Sequence, residues 1–300
     1  MDRSGARGRE GVEAVSSRLD DARVHYADRG FLEPFPLLSS RECGAVIGDA
    51  SRTAPEMSWL KGLHEFDSAC TRAARSPVLI EIVRELLGDE VILWSAQLIE
   101  QAPGVRHRWH ADFEAMTWPT VDVWIGLRGV GSNSFLSAYE RSHRWGVAPQ
   151  EVSPELDLLD DDIVTRAAGR IDPLSRRRDF PMAVGEALVF DGRIWHASHT
   201  SGTAVRSALL LQYSPASAEI RILTGLKPMP VWSAQQPACL MVVGAGSTLA
   251  PSNHVIEPQP LRRRRLRRFS GRVVRWVGLH RVWRRVRGVA LQRNRSSAGE

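Results

Sequence analysis

From residue 89 onward the chain consists mainly of short apolar runs, and this pattern limits the possible folds more than any other feature. The runs cover residues 91–100, 106–113, 121–127, 186–190 and 207–213, with Gly, Pro or Asp near their ends. Such runs are typical of β-strands joined by tight turns. We therefore expect a mainly β (α+β) fold whose core is a double-stranded β-helix, the jelly roll of cupin-like proteins.

Helices are predicted before this region. Ser39, followed by Glu42 and apolar residues at helical spacing, predicts a helix start with a serine cap. Residues 77–88 predict a second helix, because Pro77 suits a first helical position and Gly88 a helix end. Residues 128–150 are rich in loop-forming residues, and residues 151–180 are charged with helical turns.

The distribution of charge divides the chain into three parts. The net charge is +6, yet the 14 arginines between Leu261 and Arg295 leave 26 basic and 33 acidic side chains in residues 1–260. We expect a partly disordered N-terminal segment (1–28), one main folded domain (29–256) and a basic helical tail (257–300). The acidic body argues against a nucleic-acid partner, since nucleic-acid enzymes more often carry positive charge around the cleft.

The basic tail has apolar residues at intervals of three or four, with arginine on the opposite face. The apolar positions include Phe269, Val273, Trp276 and Trp283. This pattern in residues 261–291 is typical of a helix lying on an anionic membrane surface. A disordered solubilising tail, and a site for nucleic acid or an acidic protein, are the alternatives.

The rest of the chain indicates a cytoplasmic protein, with peripheral attachment to the inner membrane surface as an added option. No apolar run approaches the ~20 residues needed to span a bilayer, and no signal-peptide pattern opens the sequence. Cys43, Cys70 and Cys239 lie far apart and without zinc-site spacing, so we expect reduced, buried thiols.

Residues with metal-binding side chains appear at two places in the predicted strands. His110 and Asp112 are two residues apart, and His196 follows 86 residues later. Side chains at i and i+2 of a strand share one face, so we expect His110 and Asp112 to approach a single ion. Two histidines and a carboxylate form the facial triad of non-haem iron(II) oxygenases.

An anion-binding group is predicted beyond His196. Arg206 follows ten residues later, and arginine pairs a carboxylate with two hydrogen bonds. If the metal binds a 2-oxo acid, Arg206 could hold its far carboxylate. Ser198 shares a strand face with His196 and could donate a further hydrogen bond.

The chain resembles the phytanoyl-CoA dioxygenase-like family of iron(II)/2-oxoglutarate oxygenases over about residues 30–215. The similar segments, in family order, are Gly30-Phe31, Ser39–Cys43, Leu86–Asp89, Pro103-Gly104, Trp109–Asp112, Trp124–Leu127, Ser142–Gly146, and Trp195–Ser198 through Arg206. The resemblance implies Fe(II), 2-oxoglutarate and O2 as cofactor and co-substrates.

The resemblance also implies roles for individual residues. His110, Asp112 and His196 would bind iron, and Arg206 with Ser198 would bind 2-oxoglutarate. The remaining positions that would line the co-substrate pocket are Gln97 and Trp124. Halogenases of this type carry a small residue in place of the carboxylate, so Asp112 favours hydroxylation or another oxidation over halogenation.

The sequence departs from the family pattern at two places and offers alternatives. Glu140-Arg141 replace the usual Pro-Gly, and residues 200–203 lack the usual Asn. His199 is an alternative ligand to His196. His107, three residues before His110, should face the opposite side of its strand and serve a structural or substrate-facing role.

Two other classes of protein fit parts of this pattern. A jelly-roll protein could bind a ligand without turnover, or a cupin-type metal enzyme could work without 2-oxoglutarate. The combined set of three ligands and Arg206 favours the oxygenase. We expect its substrate to be a small molecule such as a natural product, a glycan or a lipid-linked intermediate.

Overall fold

The computed structural model describes residues 23–54, 56–112, 118–153, 155–200, 202–221 and 236–261. These residues belong to one compact unit that ends at Leu261. The strands are β1 (Phe35–Pro36), β2 (Phe66–Asp67), β3 (Val91–Gln101), β4 (His107–His110), β5 (Val121–Arg128), β6 (Ser134–Tyr139), β7 (Arg177–Phe180), β8 (Glu186–Asp191), β9 (His196–Thr200), β10 (Arg206–Pro215), β11 (Ala238–Val243), β12 (His254–Val255) and β13 (Gln259–Pro260). The helices are α1 (Ser40–Thr53), α2 (Ala69–Ala74), α3 (Pro77–Leu87), α4 (Pro149–Val152) and α5 (Asp161–Ile171), with 3-10 turns at Leu63–Glu65 and Ser142–Arg144.

The two larger sheets form the predicted double-stranded β-helix. The larger sheet has the order β1-β8-β5-β10-β3-β11-β12, and the smaller sheet has the order β4-β9-β6-β7. A third pair, β13-β2, lies apart from them. Most neighbouring strands are antiparallel and far apart in sequence, as jelly-roll connections require.

Alternation along β5 and β10 separates two apolar clusters. Val123 of β5 and Leu209 of β10 belong to the cluster that the N-terminal helices cover. Trp124 and Leu210 belong to a second cluster, which also takes in Leu136 of the smaller sheet. Because successive side chains of a strand point to opposite faces, one face of the larger sheet packs on helices and the other encloses the barrel interior.

Both predicted N-terminal helices are confirmed, and their ends follow the local chemistry. The Ser39 hydroxyl accepts a hydrogen bond from the Glu42 backbone N–H, while the Glu42 carboxylate accepts one from the Ser39 backbone. Pro77 opens α3, and Gly88 ends it at φ 98°, a conformation that favours glycine. Buried Leu79 and Val83 then attach α3 to the core.

Three expectations about strands need correction. Residues 134–139 and 177–180 form β6 and β7, although the sequence predicted loops and helical turns there. Tertiary pairing explains this, since β6 lies between β7 and β9 and gains hydrogen bonds from both. The strand predicted over 106–113 covers only His107–His110, so Asp112 follows the strand.

Several predictions concern residues at the ends of the chain. Most of the N-terminal segment (1–28) and of the basic tail (257–300) lies outside the described residues, as does almost all of the proposed membrane-surface segment (261–291). Within the described ranges, no helix is long and apolar enough to cross a membrane. Cys43, Cys70 and Cys239 are free and buried, as expected.

Candidate active site

His110, Asp112 and His196 lie close together beside β4, the edge strand of the smaller sheet. Each offers one ligand atom, and these atoms all lie within 4.8 Å of one another. His110 ends β4 and pairs directly with His196, the first residue of β9. Asp112 closes the group from the segment after β4, with Oδ1 3.7 Å from Nε2 of His110. Strand pairing between β4 and β9 therefore assembles the cluster.

Backbone carbonyl groups fix the orientation of both imidazole rings. Nδ1 of His110 lies 2.9 Å from the carbonyl oxygen of Arg108, and Nδ1 of His196 lies 3.0 Å from that of Ile194. A carbonyl only accepts, so the proton of each neutral ring is on Nδ1 and its lone pair is on Nε2. Burial also lowers the pKa of His110 well below its ordinary value, which keeps the ring neutral.

Asp112 is held by a buried polar network. Nε2 of Gln212 donates to Oδ2 of Asp112 at 3.1 Å and to both oxygens of Asp122 at 3.3 and 3.2 Å. Oε1 of Gln212 accepts a hydrogen bond from Nζ of Lys61 at 3.1 Å. The network fixes one carboxylate oxygen of Asp112 and brings a lysine close to the cluster.

The two carboxyl groups of this network differ in ionisation. Burial raises the pKa of Asp122 well above its ordinary value, and repulsion from Asp112 raises it further. Burial also opposes ionisation of Asp112, but the hydrogen bond with Asp122 and the nearby His196 and Lys61 hold the pKa of Asp112 below its usual range. Asp112 is therefore the ionised member of the pair and can serve as a metal ligand.

Arg206 forms a second polar centre inside the barrel. Its side chain is 2% exposed, and Nη2 donates to Oε1 of Gln101 and, at 2.8 Å, to Oγ of Ser198. The guanidinium lies 5.5 Å from the ring centre of Trp124. Nε and Nη1 have no hydrogen-bond partner among the described residues. Burial lowers the pKa of Arg206 to about 10, so the group stays charged at neutral pH.

The residues present fit iron(II) and a dicarboxylate. Two imidazoles and one carboxylate, grouped together, leave coordination positions free, as the facial triad requires. A buried guanidinium with two unpartnered N–H-bearing nitrogens fits a carboxylate, because an unmet buried donor costs about 1–3 kcal/mol.

The remaining predicted residues occupy different places. Trp124 lies beside Arg206, as stated above. Gln97 of β3 is half-buried and lies two residues before Ile99, which packs on the interior cluster. His199 stacks on Phe135 with ring centres 5.0 Å apart and does not belong to the cluster of His110, Asp112 and His196.

The predicted orientation of His107 was wrong. Its ring lies 4.3 Å from the ring of His110, although the two residues should face opposite sides of a regular strand. A register shift between His107 and His110, opposite β9, reorients the backbone. His107 therefore contacts His110, a member of the cluster, edge-on.

Sequence reasoning missed four buried polar residues of the site: Lys61, Gln101, Asp122 and Gln212. A signal for two of them was present. Asp122 and Gln212 each interrupt an otherwise apolar run, at positions that alternate with the helix-facing residues. A polar side chain on the inner face of a buried strand costs free energy unless it is bonded, so it marks a network.

Comparison with known proteins identifies the family. The family model described as phytanoyl-CoA dioxygenase (PhyH) matches residues 9–208. A curated relative, L-proline trans-4-hydroxylase of Streptomyces griseoviridis, is 30% identical over 240 residues, covering 66% of this chain and 87% of the relative.

Solved structures show the same fold. The non-heme monooxygenase ThoJ in its apo form gives a TM-score of 0.57 at 16% identity, covering 79% of this chain and 88% of ThoJ. The epimerase SnoN, in complex with Fe3+, alpha ketoglutarate and nogalamycin RO, gives a TM-score of 0.53 at 15% identity, covering 78% of this chain and 98% of SnoN. The chain therefore belongs to the phytanoyl-CoA dioxygenase family and is an Fe(II)/2-oxoglutarate-dependent oxygenase.

Proposed function

We propose that this enzyme hydroxylates a C–H bond of a small molecule, with His110, Asp112 and His196 as the iron ligands and Arg206 as the 2-oxoglutarate anchor. The proposal is carried by three potential ligand atoms that lie within 4.8 Å of one another. The same barrel contains the buried guanidinium of Arg206, whose Nε and Nη1 have no hydrogen-bond partner among the described residues. A binding protein without turnover would need neither feature, and a metal enzyme without 2-oxoglutarate would not need Arg206.

The ligands are prepared before metal binding. His110 and His196 donate Nδ1–H to backbone carbonyls, so each presents the lone pair of Nε2. Asp112 is ionised and is held by hydrogen bonds with Gln212 and Asp122, and its Oδ1 lies 3.7 Å from Nε2 of His110. Little reorganisation is then needed on binding, which favours both affinity and a fixed geometry.

Arg206 binds the far carboxylate of the co-substrate. Nε and Nη1 still have N–H groups to donate to a ligand, and the charge is not neutralised by an acidic group among its described partners. Charge-assisted hydrogen bonds from these nitrogens to a carboxylate supply both charge and orientation. Trp124 covers the guanidinium and excludes water from one side.

Bound iron(II) and 2-oxoglutarate supply the oxidation: O2 provides one oxygen atom to the succinate formed with CO2 and the other to the substrate C–H bond. The protein orients the reactants and keeps the interior dry through apolar side chains such as Leu136, Phe190 and Leu210. Asp112 occupies the ligand position that halogenases leave to halide, so its presence supports hydroxylation.

L-proline is the first candidate substrate to test. The support is the 30% identity to a protein named L-proline trans-4-hydroxylase. Other small molecules, including natural products, glycans and lipid-linked intermediates, form the second group to screen.

The test measures succinate formed from 2-oxoglutarate with added Fe(II), with and without L-proline, in wild type, His110→Ala and Arg206→Ala. We expect turnover in wild type, none above background in His110→Ala, and a raised KM for 2-oxoglutarate in Arg206→Ala. A metabolite screen follows if L-proline gives no hydroxylated product. Equal succinate formation in all three proteins would contradict the assigned site.

A further inference from the structure

Three donors converge on one side-chain atom of Gln101. Oε1 of Gln101 accepts from Nη2 of Arg206, from Oγ of Ser198 at 3.1 Å and from Oγ1 of Thr200 at 3.2 Å. A guanidinium nitrogen can only donate, so the atom at the centre must be the amide oxygen. Gln101 is buried and ends β3 directly opposite Arg206, the first residue of β10.

These contacts limit the conformations that Arg206 can adopt. Nη2 donates hydrogen bonds to both Gln101 and Ser198, and the Ser198 hydroxyl in turn donates a hydrogen bond to Gln101. The guanidinium can then present only Nε and Nη1 to a ligand. Arginine alone has many rotamers of similar energy, so the fixed position comes from the partners of Nη2.

The same contacts set a distance from the metal-binding group. His196, Ser198 and Thr200 share one face of β9, and Ser198 lies about 6.6 Å along the strand from His196. This distance is similar to the length of a five-carbon diacid whose 2-oxo acid end binds the metal. Moving the guanidinium would change the chain length that fits.

We propose that Gln101 is a positioning residue that fixes Arg206 and thereby selects 2-oxoglutarate over 2-oxo acids of other chain length. The inference rests on the proposed role of Arg206 as the anchor for the far carboxylate. An amide suits this role because its oxygen accepts from Arg206 without neutralising it. A carboxylate at the same position would form an internal ion pair and compete with the ligand.

Two substitutions separate these effects. Gln101→Leu removes the acceptor but adds no charge, and we expect about tenfold weaker binding of 2-oxoglutarate with a reduced preference over 2-oxoadipate. Gln101→Glu adds a buried anion beside Arg206, and we expect a loss of about 100-fold or more. Gln259→Glu makes the same change at an exposed position and is the matched control.

The experiment is anaerobic calorimetry on the Fe(II)-loaded full-length proteins with 2-oxoglutarate, 2-oxoadipate and pyruvate. Pyruvate has the same 2-oxo acid group but no far carboxylate, so its affinity should be equal in wild type and in both Gln101 variants. That equality also reports an intact fold and metal site. Fe(II) affinity, measured by competition with a chelator, should likewise stay unchanged.

The possible outcomes distinguish a failure of the role of Gln101 from a failure of the proposed role of Arg206. Wild type that binds 2-oxoglutarate no better than pyruvate would contradict the role of Arg206 itself. A second outcome would overturn only the role of Gln101. In it, wild type prefers 2-oxoglutarate, but Gln101→Leu and Gln101→Glu bind both dicarboxylates as tightly as wild type does. Weakened pyruvate binding in both variants would also overturn it, since the damage would then be general.

Discussion

The amide nitrogen of Gln212 donates a hydrogen bond to Oδ2 of Asp112 at 3.1 Å, across 100 residues of sequence. Gln212 lies on β10, at the centre of the larger sheet, whereas Asp112 follows β4 at the edge of the smaller sheet. The bond therefore links the two sheets at the cluster of His110, Asp112 and His196. Oε1 of Gln212 also accepts a hydrogen bond from Nζ of Lys61, so Gln212 links Asp112 to Lys61.

This relationship gives a first prediction for metal binding. Gln212→Leu should weaken Fe(II) binding about 10–100-fold, because outer partners of ligating groups commonly contribute that much. The measurement is chelator competition under nitrogen, with Gln259→Leu, at an exposed position, as the control. Unchanged Fe(II) affinity in Gln212→Leu would show that Asp112 holds its orientation without Gln212.

A second prediction concerns the helical layer. Leu79 is fully buried in α3 against the larger sheet, while neighbouring Val78 is 47% exposed. Leu79→Ala should lower the free energy of unfolding by about 2–5 kcal/mol, through lost burial and the cavity left behind. Val78→Ala on the same helix should change it by about 0.5 kcal/mol or less. Chemical denaturation measures both, and similar losses in the two variants would contradict the packing described.

The third prediction is a pH dependence of stability at His64. The residue is 0% exposed, and its Nε2 lies 2.7 Å from the carbonyl oxygen of Ala238. Burial lowers the pKa of His64 from 6.5, against smaller opposing effects of the Ala238 carbonyl and Glu65. The unfolded chain then binds the proton more tightly, so stability is full above pH 6.5 and is lost as the pH falls below it.

Replacement of the titrating group tests this assignment. His64→Gln should show a smaller loss of unfolding free energy between pH 7 and about 5.5 than wild type, because it no longer takes up a proton on unfolding. Exposed His25→Gln should follow the wild-type profile. The assignment fails if the His64 variant keeps the wild-type pH slope.

The fourth prediction concerns the arginine-rich segment and rests on sequence alone. Residues 261–291 combine regularly spaced apolar residues with a basic face. We expect the full chain to sediment with vesicles that contain anionic lipid, and not with neutral vesicles, at physiological salt. A chain ending at Pro260 should stay in the supernatant in both cases. Equal sedimentation of the two chains would remove the lipid hypothesis.

Local chemistry allowed much of the fold to be predicted. Ser39 with Glu42 marked the start of α1, and Pro77 with Gly88 marked both ends of α3. Short apolar runs located β3, β5, β8 and β10, because each run is buried on both faces. The strands β6 and β7 could not be found in this way, since their polar residues are stabilised by neighbours that sequence does not reveal.

The candidate site also has features that the sequence predicted and features that only the structure revealed. The sequence by itself determined which side chains could bind metal and carboxylate, because His110, Asp112, His196 and Arg206 are the residue types that this chemistry requires. Only the tertiary structure decided that the ring of His107 contacts the ring of His110 edge-on, and that Gln101 holds Arg206 across 105 residues of sequence. The physical reason is that period two assigns a side chain to a face of its strand, whereas its partners depend on which distant strands pair and in which register.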